Sequence, residues 1–384
     1  MKKKLLILPL IALFSMTSCG TSAPDKTADG KLPSGGSEVT KKEDRTARLA
    51  KVIENGSAQL GNLDAFGLEL AFDISKFSVD SPNLKAELAV SPQPSFKMGA
   101  EHLFNGTKEN TKIGVSSTAF TASVKMETSL TEEPVNLNES FSIGALGAYL
   151  DNGNVYADLS ALNVPNLLKQ VVKAAAPFAD TLKQDEEGYG MMIGNLIEQF
   201  SLNPDLLQTM LDMIFGKDFN YKLKFEDVAK EFPLVKVESY TETESLEKAE
   251  EAIKAFDNNT AGLKFDEVCH IYTYGDFTGL QFSFDLNKIE AVANAGVTLG
   301  DGNVFEFGIV MDEKGLPRDF SIKAQLDLSV AEEQAGAIFG GALKASGGVK
   351  VNGTFVYGSN PVSFPANYDD YSKLAFDVGG LFGF

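Results

Sequence analysis

Residues 320–330 read FSIKAQLDLSV, and the alternation in this run determines the kind of fold that the chain can adopt. Every second residue, starting with Phe320 and ending with Val330, is apolar, and each residue between them is polar. Because successive side chains of a β-strand point to opposite faces, the run predicts a long strand with one buried and one solvated face, as in antiparallel sheets. Shorter runs of the same kind lie at 68–74, 85–90, 120–126, 221–225 and 304–311.

Turn and helix signals between these runs predict how the strands are connected. Gly-containing turn sequences predict hairpins at 151–154, 300–303, 314–315 and 352–353. Helical patterns lie at 45–54, at 165–182 with a break at Pro177, at 191–200, after Asn203-Pro204, and from the capping pattern Thr241-x-x-Glu244 to about residue 256. We therefore predict an α+β fold, a curved antiparallel sheet with helices packed across its concave face.

The charge balance argues against nucleic-acid binding. The chain has 384 residues, of which 43% are hydrophobic, and it carries 34 Lys and Arg against 53 Asp and Glu, a net charge of −19. Only Arg45, Arg48 and Arg318 are arginines, so the planar guanidinium groups that recognise phosphates are scarce. A surface this acidic repels the phosphate backbone, and we expect no nucleic-acid partner.

The N-terminus carries a signal for export. Lys2, Lys3 and Lys4 precede an apolar run at 5–14 that is shorter than the roughly 20 residues needed to span a membrane, which is typical of a secretory signal peptide. The run ends in Met16-Thr17-Ser18-Cys19-Gly20, which resembles the bacterial lipobox. The resemblance implies that Cys19 is acylated, for example with palmitate, and anchors the mature chain to the extracytoplasmic face of a bacterial membrane. The alternative is an ordinary signal peptide followed by a chance cysteine.

These features predict three segments. Residues 1–18 form the signal peptide, and 19–42 form a lipidated flexible tether because this stretch is rich in Gly, Ser, Pro and Asp and has no apolar periodicity. Residues 43–384 form one domain. Within it, GLELAFDISK at 67–76 is similar to GLQFSFDLNK at 279–288. If this similarity reflects a duplication, the domain contains two related halves, 43–240 and 241–384. The alternative is that two strands have converged on one pattern.

No catalytic or metal-binding motif stands out. The chain lacks a Walker loop and the motifs Gly-x-Ser-x-Gly and His-Glu-x-x-His. We therefore predict that the protein is not an enzyme and binds no cofactor. The remaining enzymatic alternative is a hydrolase that uses paired carboxylates. Cys269 and His270 are adjacent on a predicted strand and point to opposite faces, so Cys269 is expected to be a buried structural thiol. Asp151, Asp301 and Asp312 are interpreted as solvated turn residues.

The helical section is unusually rich in methionine, since four methionines lie between residues 191 and 213. Methionine is flexible, and surfaces that accept varied apolar ligands use it heavily. Two arrangements are compatible with this composition. In the first, the helices enclose a hydrophobic cavity over the sheet, and in the second they pack closely against it as an ordinary core. The candidate cavity residues are Phe72, Leu168, Val172, Met192, Leu196, Phe200, Leu207, Met210, Leu211, Phe282, Phe284, Phe305 and Phe307.

The order of features resembles the LppX/LprG-type lipoproteins and, more distantly, the LolA/LolB lipoprotein carriers. The resemblance rests on the helix and strand at 45–74, the hairpin sequence at 149–159 and the closing strand with its Gly-x-x-Pro-Val turn at 355–365. It implies a U-shaped half-barrel with helices across its mouth that holds acyl chains. We therefore predict a membrane-anchored lipoprotein that binds a lipid or another hydrophobic molecule. The alternative is a non-enzymatic scaffold or adhesion lipoprotein on the cell surface, with a fully packed core.

Overall fold

A computed structural model of the chain describes residues 23–107, 109–129, 134–184, 189–226, 237–260, 263–284, 297–300 and 302–373. The predicted signal peptide and Cys19 lie outside these residues. Within them the chain forms an α+β structure dominated by one large, open and mostly antiparallel sheet, which confirms the predicted fold class at this level.

The strands are β1 Ser37–Glu38, β2 Ala65–Ile74, β3 Phe77–Ser81, β4 Leu84–Ser91, β5 Ser95–Glu101, β6 Lys112–Ser117, β7 Phe120–Thr128, β8 Val135–Ile143, β9 Gly147–Asp151, β10 Asn154–Asp158, β11 Lys222–Phe225, β12 Cys269–Tyr274, β13 Phe277–Phe284, β14 Val297–Leu299, β15 Val304–Met311, β16 Pro317–Val330, β17 Leu343–Tyr357 and β18 Ser372–Lys373. The helices are α1 Lys42–Leu60, α2 Val164–Ala175, α3 Ala179–Lys183, α4 Gly190–Leu202, α5 Pro204–Phe215, α6 Glu242–Asn259, α7 Phe265–Val268 and α8 Glu332–Phe339.

Strand β17 is the branch point of the sheet. On one side it pairs with β16, which continues through β15 and β13 to β12 and β1, while β14 pairs beside β15 on the end of β16. On the other side residues 349–357 pair with β2 and residues 344–346 pair with β3. Two arms therefore leave β17: β2-β5-β6-β9-β10-β11-β18 and β3-β4-β7-β8.

The sheet order bears on the two proposed halves. Strands from 241–384 lie side by side, but α1 from the first half packs against α6 from the second half, over β12, β13 and β15. The two segments thus share one core, and the duplication stays a prediction.

We call the side of the sheet on which α1 and α6 lie the inner face. The strand registers align apolar residues across this face, and the best example is the row Cys269, Phe282, Phe307, Ile322, Val351 and Phe72. At one end of the sheet Leu49 and Ile53 of α1 and Ala249 of α6 are buried against this face. Helix α6 begins at the predicted capping box, in which Thr241 and Glu244 each accept a hydrogen bond from the other's backbone N–H.

The opposite, outer face is covered in part by the N-terminal segment. The backbone N–H and hydroxyl of Thr27 donate to the buried carboxylate of Asp319 at 2.7 and 2.8 Å, and the N–H of Gly30 donates to Ser321 at 2.8 Å. The N–H of Leu32 donates to the side chain of Gln281 at 2.9 Å.

The predicted flexible tether over 19–42 is therefore wrong for residues 23–41. Its composition is that of a linker, but buried polar side chains of the sheet hydrogen-bond its backbone, and β1 extends the sheet beside β12. Helix α1 begins immediately afterwards at Lys42.

The C-terminal segment 358–371 covers another part of the outer face. Gly67, Gly99 and Gly114 are aligned across β2, β5 and β6, and Asn360, Pro361 and Val362 lie where side chains at these glycines would project. The absence of side chains in this row allows the segment to approach the backbone closely.

One predicted hairpin is wrong. Asn352-Gly353 reads as a turn, but it lies within the continuous strand β17. Gly353 is needed there because the ring of Phe320 on the neighbouring strand occupies the space of its missing side chain, with Cε1 2.1 Å from the position of a Cβ atom. The predicted turns at 151–154 and 314–315 are confirmed, with positive φ at Asn152, Gly153 and Gly315. Asp301, in the fourth predicted turn, lies outside the described residues.

We expect Gly67→Ala to destabilise the protein by about 1–3 kcal/mol, because its Cβ atom would lie 2.1 Å from Cδ of Pro361, in a rigid ring, and 2.8 Å from the backbone oxygen of Met98. Gly61→Ala is the control, since Gly61 has a helical φ of −63° and nothing lies within 4 Å of the added carbon. Urea unfolding measures both variants. Equal stability of the two variants would show that the C-terminal segment is not seated on this row.

Asp312 gives the fold a specific pH dependence. Burial raises the pKa of its carboxyl to about 7, although it accepts hydrogen bonds from the N–H groups of Lys314 and Leu316 at 3.2 and 2.8 Å. In the unfolded chain this carboxyl has an ordinary pKa of about 3.9. Since the folded state retains a proton that the unfolded chain has released, the free energy of unfolding falls as the pH rises from about 4 to about 7.

Asp312→Asn keeps the acceptor oxygen and removes the titration. We expect the free energy of unfolding of this variant, relative to that of the wild type, to increase as the pH rises from 4.5 to 7 and to level off by pH 8. Urea titrations at these three pH values measure the difference between the two proteins. A difference that does not change with pH would contradict the assignment to Asp312.

Candidate functional site

The inner face contains a strip of exposed apolar residues between two groups of helices. Helices α1 and α6 cover one side of it, and α2 covers β8 on the other. We call this strip the trough. Its lining residues on the described strands are Phe72, Ile74, Phe77, Val79, Leu88, Val90, Phe96, Met98, Val124 and Leu326.

The trough is open to solvent. Phe77, Leu88, Met98 and Leu326 are 39%, 37%, 43% and 40% exposed, although the alternation of their strands directs them away from the solvated outer face. Large apolar side chains of this kind are ordinarily covered in a folded domain, and contiguous exposure is typical of binding surfaces. What the structure shows is thus an open strip of surface, whereas the sequence predicted a cavity under a helical lid.

The register explains how the trough is assembled. Phe77 pairs with Leu88, Leu88 with Val124, and Val124 with Glu139, so four strands contribute side by side to one row. The ring of Phe77 lies over Gly347 of β17, with Cδ1 2.0 Å from the position of a Cβ atom. Gly347 therefore lets an aromatic ring of β3 cross onto β17, next to Leu326 of β16.

The described inner face of this part of the sheet carries a single charged residue. Among the described residues of β17 and of β2 to β9, the strand pairing places only Glu139 there. Its carboxylate is 2.7 Å from the ammonium group of Lys173 on α2, and its side chain is 17% exposed. A half-buried charge among apolar residues is tolerated when it is paired, so this ion pair holds α2 over the rim of the trough.

The thirteen predicted cavity residues fall into three groups. Phe72 lies in the trough, where its ring meets that of Phe96 edge-on at 5.4 Å. The four phenylalanines of β13 and β15 lie on the same face and form a continuous aromatic cluster: Phe282, Phe284, Phe305 and Phe307, with centroid distances of 5.2–6.5 Å. Phe282 and Phe307 pack against the core under α1 and α6, so this cluster links that core to the trough.

The second group forms the interior of the helical cluster α2–α5. Phe200, Leu207 and Leu211 are buried against one another, and the partly buried residues packed around them include Leu168, Val172 and Met210. These six residues therefore contact each other between helices.

The third group, Met192 and Leu196, faces solvent, with 55% and 40% of each residue exposed. The structure thus places the predicted residues in three separate environments. A ligand-binding role for any of them stays a prediction.

Sequence reasoning missed Phe77, Leu88, Met98, Leu326 and the Glu139–Lys173 pair. The alternation around 85–90 and 320–330 already assigned Leu88 and Leu326 to the apolar face of their strands. The pattern does not show how much of that face the helices cover, because the covered area depends on where α2 packs relative to α1 and α6.

A second concavity of about 340 Å³ lies on the outer face, between the N-terminal segment and the sheet. Its walls include Tyr272, Tyr274 and Glu306. Tyr274 donates a hydrogen bond to the carbonyl of Pro33 at 2.7 Å, and Glu306 lies 3.5 Å from Lys31. The lining groups thus help to hold the N-terminal segment.

Cys269 is completely buried, as predicted, and burial raises the pKa of its thiol to about 12. His270 points to the outer face, where its Nδ1 lies 2.7 Å from Glu38. The pair therefore does not form a common site, and no group of three or more potential metal ligands occurs among the described residues. No helix within the described ranges combines the length and apolar character needed to cross a membrane.

Comparison with known proteins finds no family model and no curated protein that matches this chain.

Proposed function

We propose that the protein binds a lipid or another hydrophobic molecule in the trough. The observation that carries this proposal is the exposure of Phe77, Leu88 and Leu326 side by side on the inner face, which the alternation of their strands predicts to be buried. An alkyl chain laid along this strip replaces water at apolar side chains. Each methylene group so buried contributes about 0.8 kcal/mol of favourable free energy.

The same exposure favours ligand binding over the alternative of a scaffold with a fully packed core. In a packed core, Leu88 and Leu326 would be covered by helices on the inner face, whereas α1 and α6 cover β12, β13 and β15 and leave this strip uncovered. Glu139, next to this strip on β8, is already paired with Lys173.

In this proposal the protein is a lipoprotein anchored through Cys19 to the extracytoplasmic side of a bacterial membrane, and its sheet is a U-shaped half-barrel of the LppX or LolA kind. Support for the fold comes from an open antiparallel sheet with helices on one face. Support for the anchor comes from the lipobox-like sequence. The first described residue, Ala23, lies four residues after Cys19, and the segment that begins there is bound to the outer face of the sheet.

Replacing Leu88 by Lys tests the trough directly. The charged side chain would lie in the middle of the apolar row, and we expect the affinity for a fluorescent fatty acid such as cis-parinaric acid to fall at least about tenfold, because the bound chain loses apolar contact and meets a charge. Fluorescence titration of the chain 20–384, which contains every described residue, measures the dissociation constant.

Ala89→Lys is the matched control. Ala89 is the next residue on β4 and is exposed on the outer face, so the same charge is added to the same strand on the opposite side. We expect its affinity for the probe to equal that of the wild type. Equal affinities of both variants, or no saturable binding of the probe by the wild type, would refute the proposed function.

A further inference from the structure

Helices α4 and α5 expose a second apolar surface that lies outside the trough. Nine of the sixteen exposed large hydrophobic residues of the described chain lie between residues 171 and 214. We define the helical patch as Tyr189, Met192, Ile193, Leu196, Leu202 and Met213. Three of them are among the most exposed apolar residues of the described protein: Leu202 at 81%, Tyr189 at 77% and Met213 at 73%.

The exposed residues of α4 belong to one apolar stripe. Tyr189, Met192, Ile193 and Leu196 have the i, i+3, i+4, i+7 spacing of one helical face. Phe200, four residues after Leu196, continues this stripe and is buried in the helical cluster. Because an apolar stripe of a helix is normally covered along its whole length, the exposed part of this one indicates a partner surface.

The charges around the patch determine what can cover it. Glu198, the one charged residue of α4, is 2.8 Å from the ammonium group of Lys183. Helix α5, which carries Met213, adds the carboxylates of Asp205 and Asp212. The apolar patch is therefore bordered by negative charge, on a chain with a net charge of −19. Two copies of such a chain repel each other, and so do the chain and an anionic lipid surface, whereas an uncharged or zwitterionic lipid surface does not.

The shape of the patch also fits a lipid surface. Leu202 is the last residue of α4 and is separated from α5 by Asn203, and Met213 lies near the far end of α5, so apolar side chains project from two consecutive helices. Flexible methionines adapt to disordered alkyl chains, and a tyrosine at the edge places its ring where lipid meets water.

We infer that the helical patch docks onto a zwitterionic lipid surface and inserts these side chains into it. The inference rests on the proposed function, because α2, which forms the rim of the trough, also packs against α4 and α5. Docking through the patch places that rim beside the lipid surface, from which a ligand passes into the trough without crossing water.

The chain offers a specific probe of insertion because it contains no tryptophan. In the chain 20–384 with Met192→Trp, we expect the emission to shift to the blue on addition of phosphatidylcholine vesicles, and the shift to weaken when phosphatidylglycerol replaces part of the lipid at low salt. Ile338→Trp is the control, since Ile338 is 63% exposed on α8, outside the patch, and its emission should not shift.

A double variant, Met192→Glu with Met213→Glu, separates this inference from the proposed function. We expect its partition into phosphatidylcholine vesicles, measured by flotation, to fall at least about tenfold, while its affinity for cis-parinaric acid in solution is unchanged. Loss of both activities with a folded circular dichroism spectrum would show that the patch belongs to the ligand site and would overturn the inference.

Three further results would overturn it. The first is an emission of Met192→Trp that does not respond to vesicles. The second is an emission that shifts to the blue with increasing protein concentration, which would show that a second copy covers the patch. The third is an emission that is blue without vesicles at every concentration, which would show that the chain itself covers it, for example through the apolar segment LAFDVGGLFGF at 374–384.

Discussion

The antiparallel pairing of β16 with β17 holds this structure together. Twelve consecutive residue pairs join the two strands, and the remaining strands attach on either side of this pair. Because β17 is long enough to pair with both β2 and β3, one strand supports both arms of the sheet. The unbroken alternation of β16 and β17 also assigns every neighbouring strand an inner and an outer side, since a shift of one residue would exchange the two faces.

The two faces are then used differently. The chain's own terminal segments cover parts of the outer face, through the buried carboxylate of Asp319 on one side and the glycine row at Gly67, Gly99 and Gly114 on the other. The inner face is apolar, and two groups of helices cover only its sides. A buried core lies under α1 and α6, whereas Phe77, Leu88 and Leu326 in the strip between the helical groups are exposed to solvent. This division is the physical basis on which we propose that the protein binds hydrophobic molecules.

Much of the fold follows from the sequence because it depends on local patterns. The alternation at 320–330, the capping box at Thr241 and Glu244, and the helix break at Pro177 all correspond to features of the structure. The failures come from contacts distant in sequence: residues 23–41 read as a linker because nothing local reveals Asp319 or Ser321, and Asn352-Gly353 reads as a turn because nothing local reveals Phe320. For the same reason the sequence identified an apolar face but did not show which part of it the helices leave uncovered.

We propose that the inner strip is open and binds apolar ligands, while the N-terminal segment covers the outer face at Gly279 and Gly308. Carbene labelling with a photoactivated diazirine, read out by mass spectrometry on the chain 20–384 with and without palmitate, tests it most directly. We expect strong labelling of peptides that carry Leu88 and Leu326, a decrease of this labelling on addition of palmitate, and weak labelling at Gly279 and Gly308 under Leu32 in both states. Weak labelling at Leu88 and Leu326 without palmitate, or strong labelling that palmitate leaves unchanged, would contradict it.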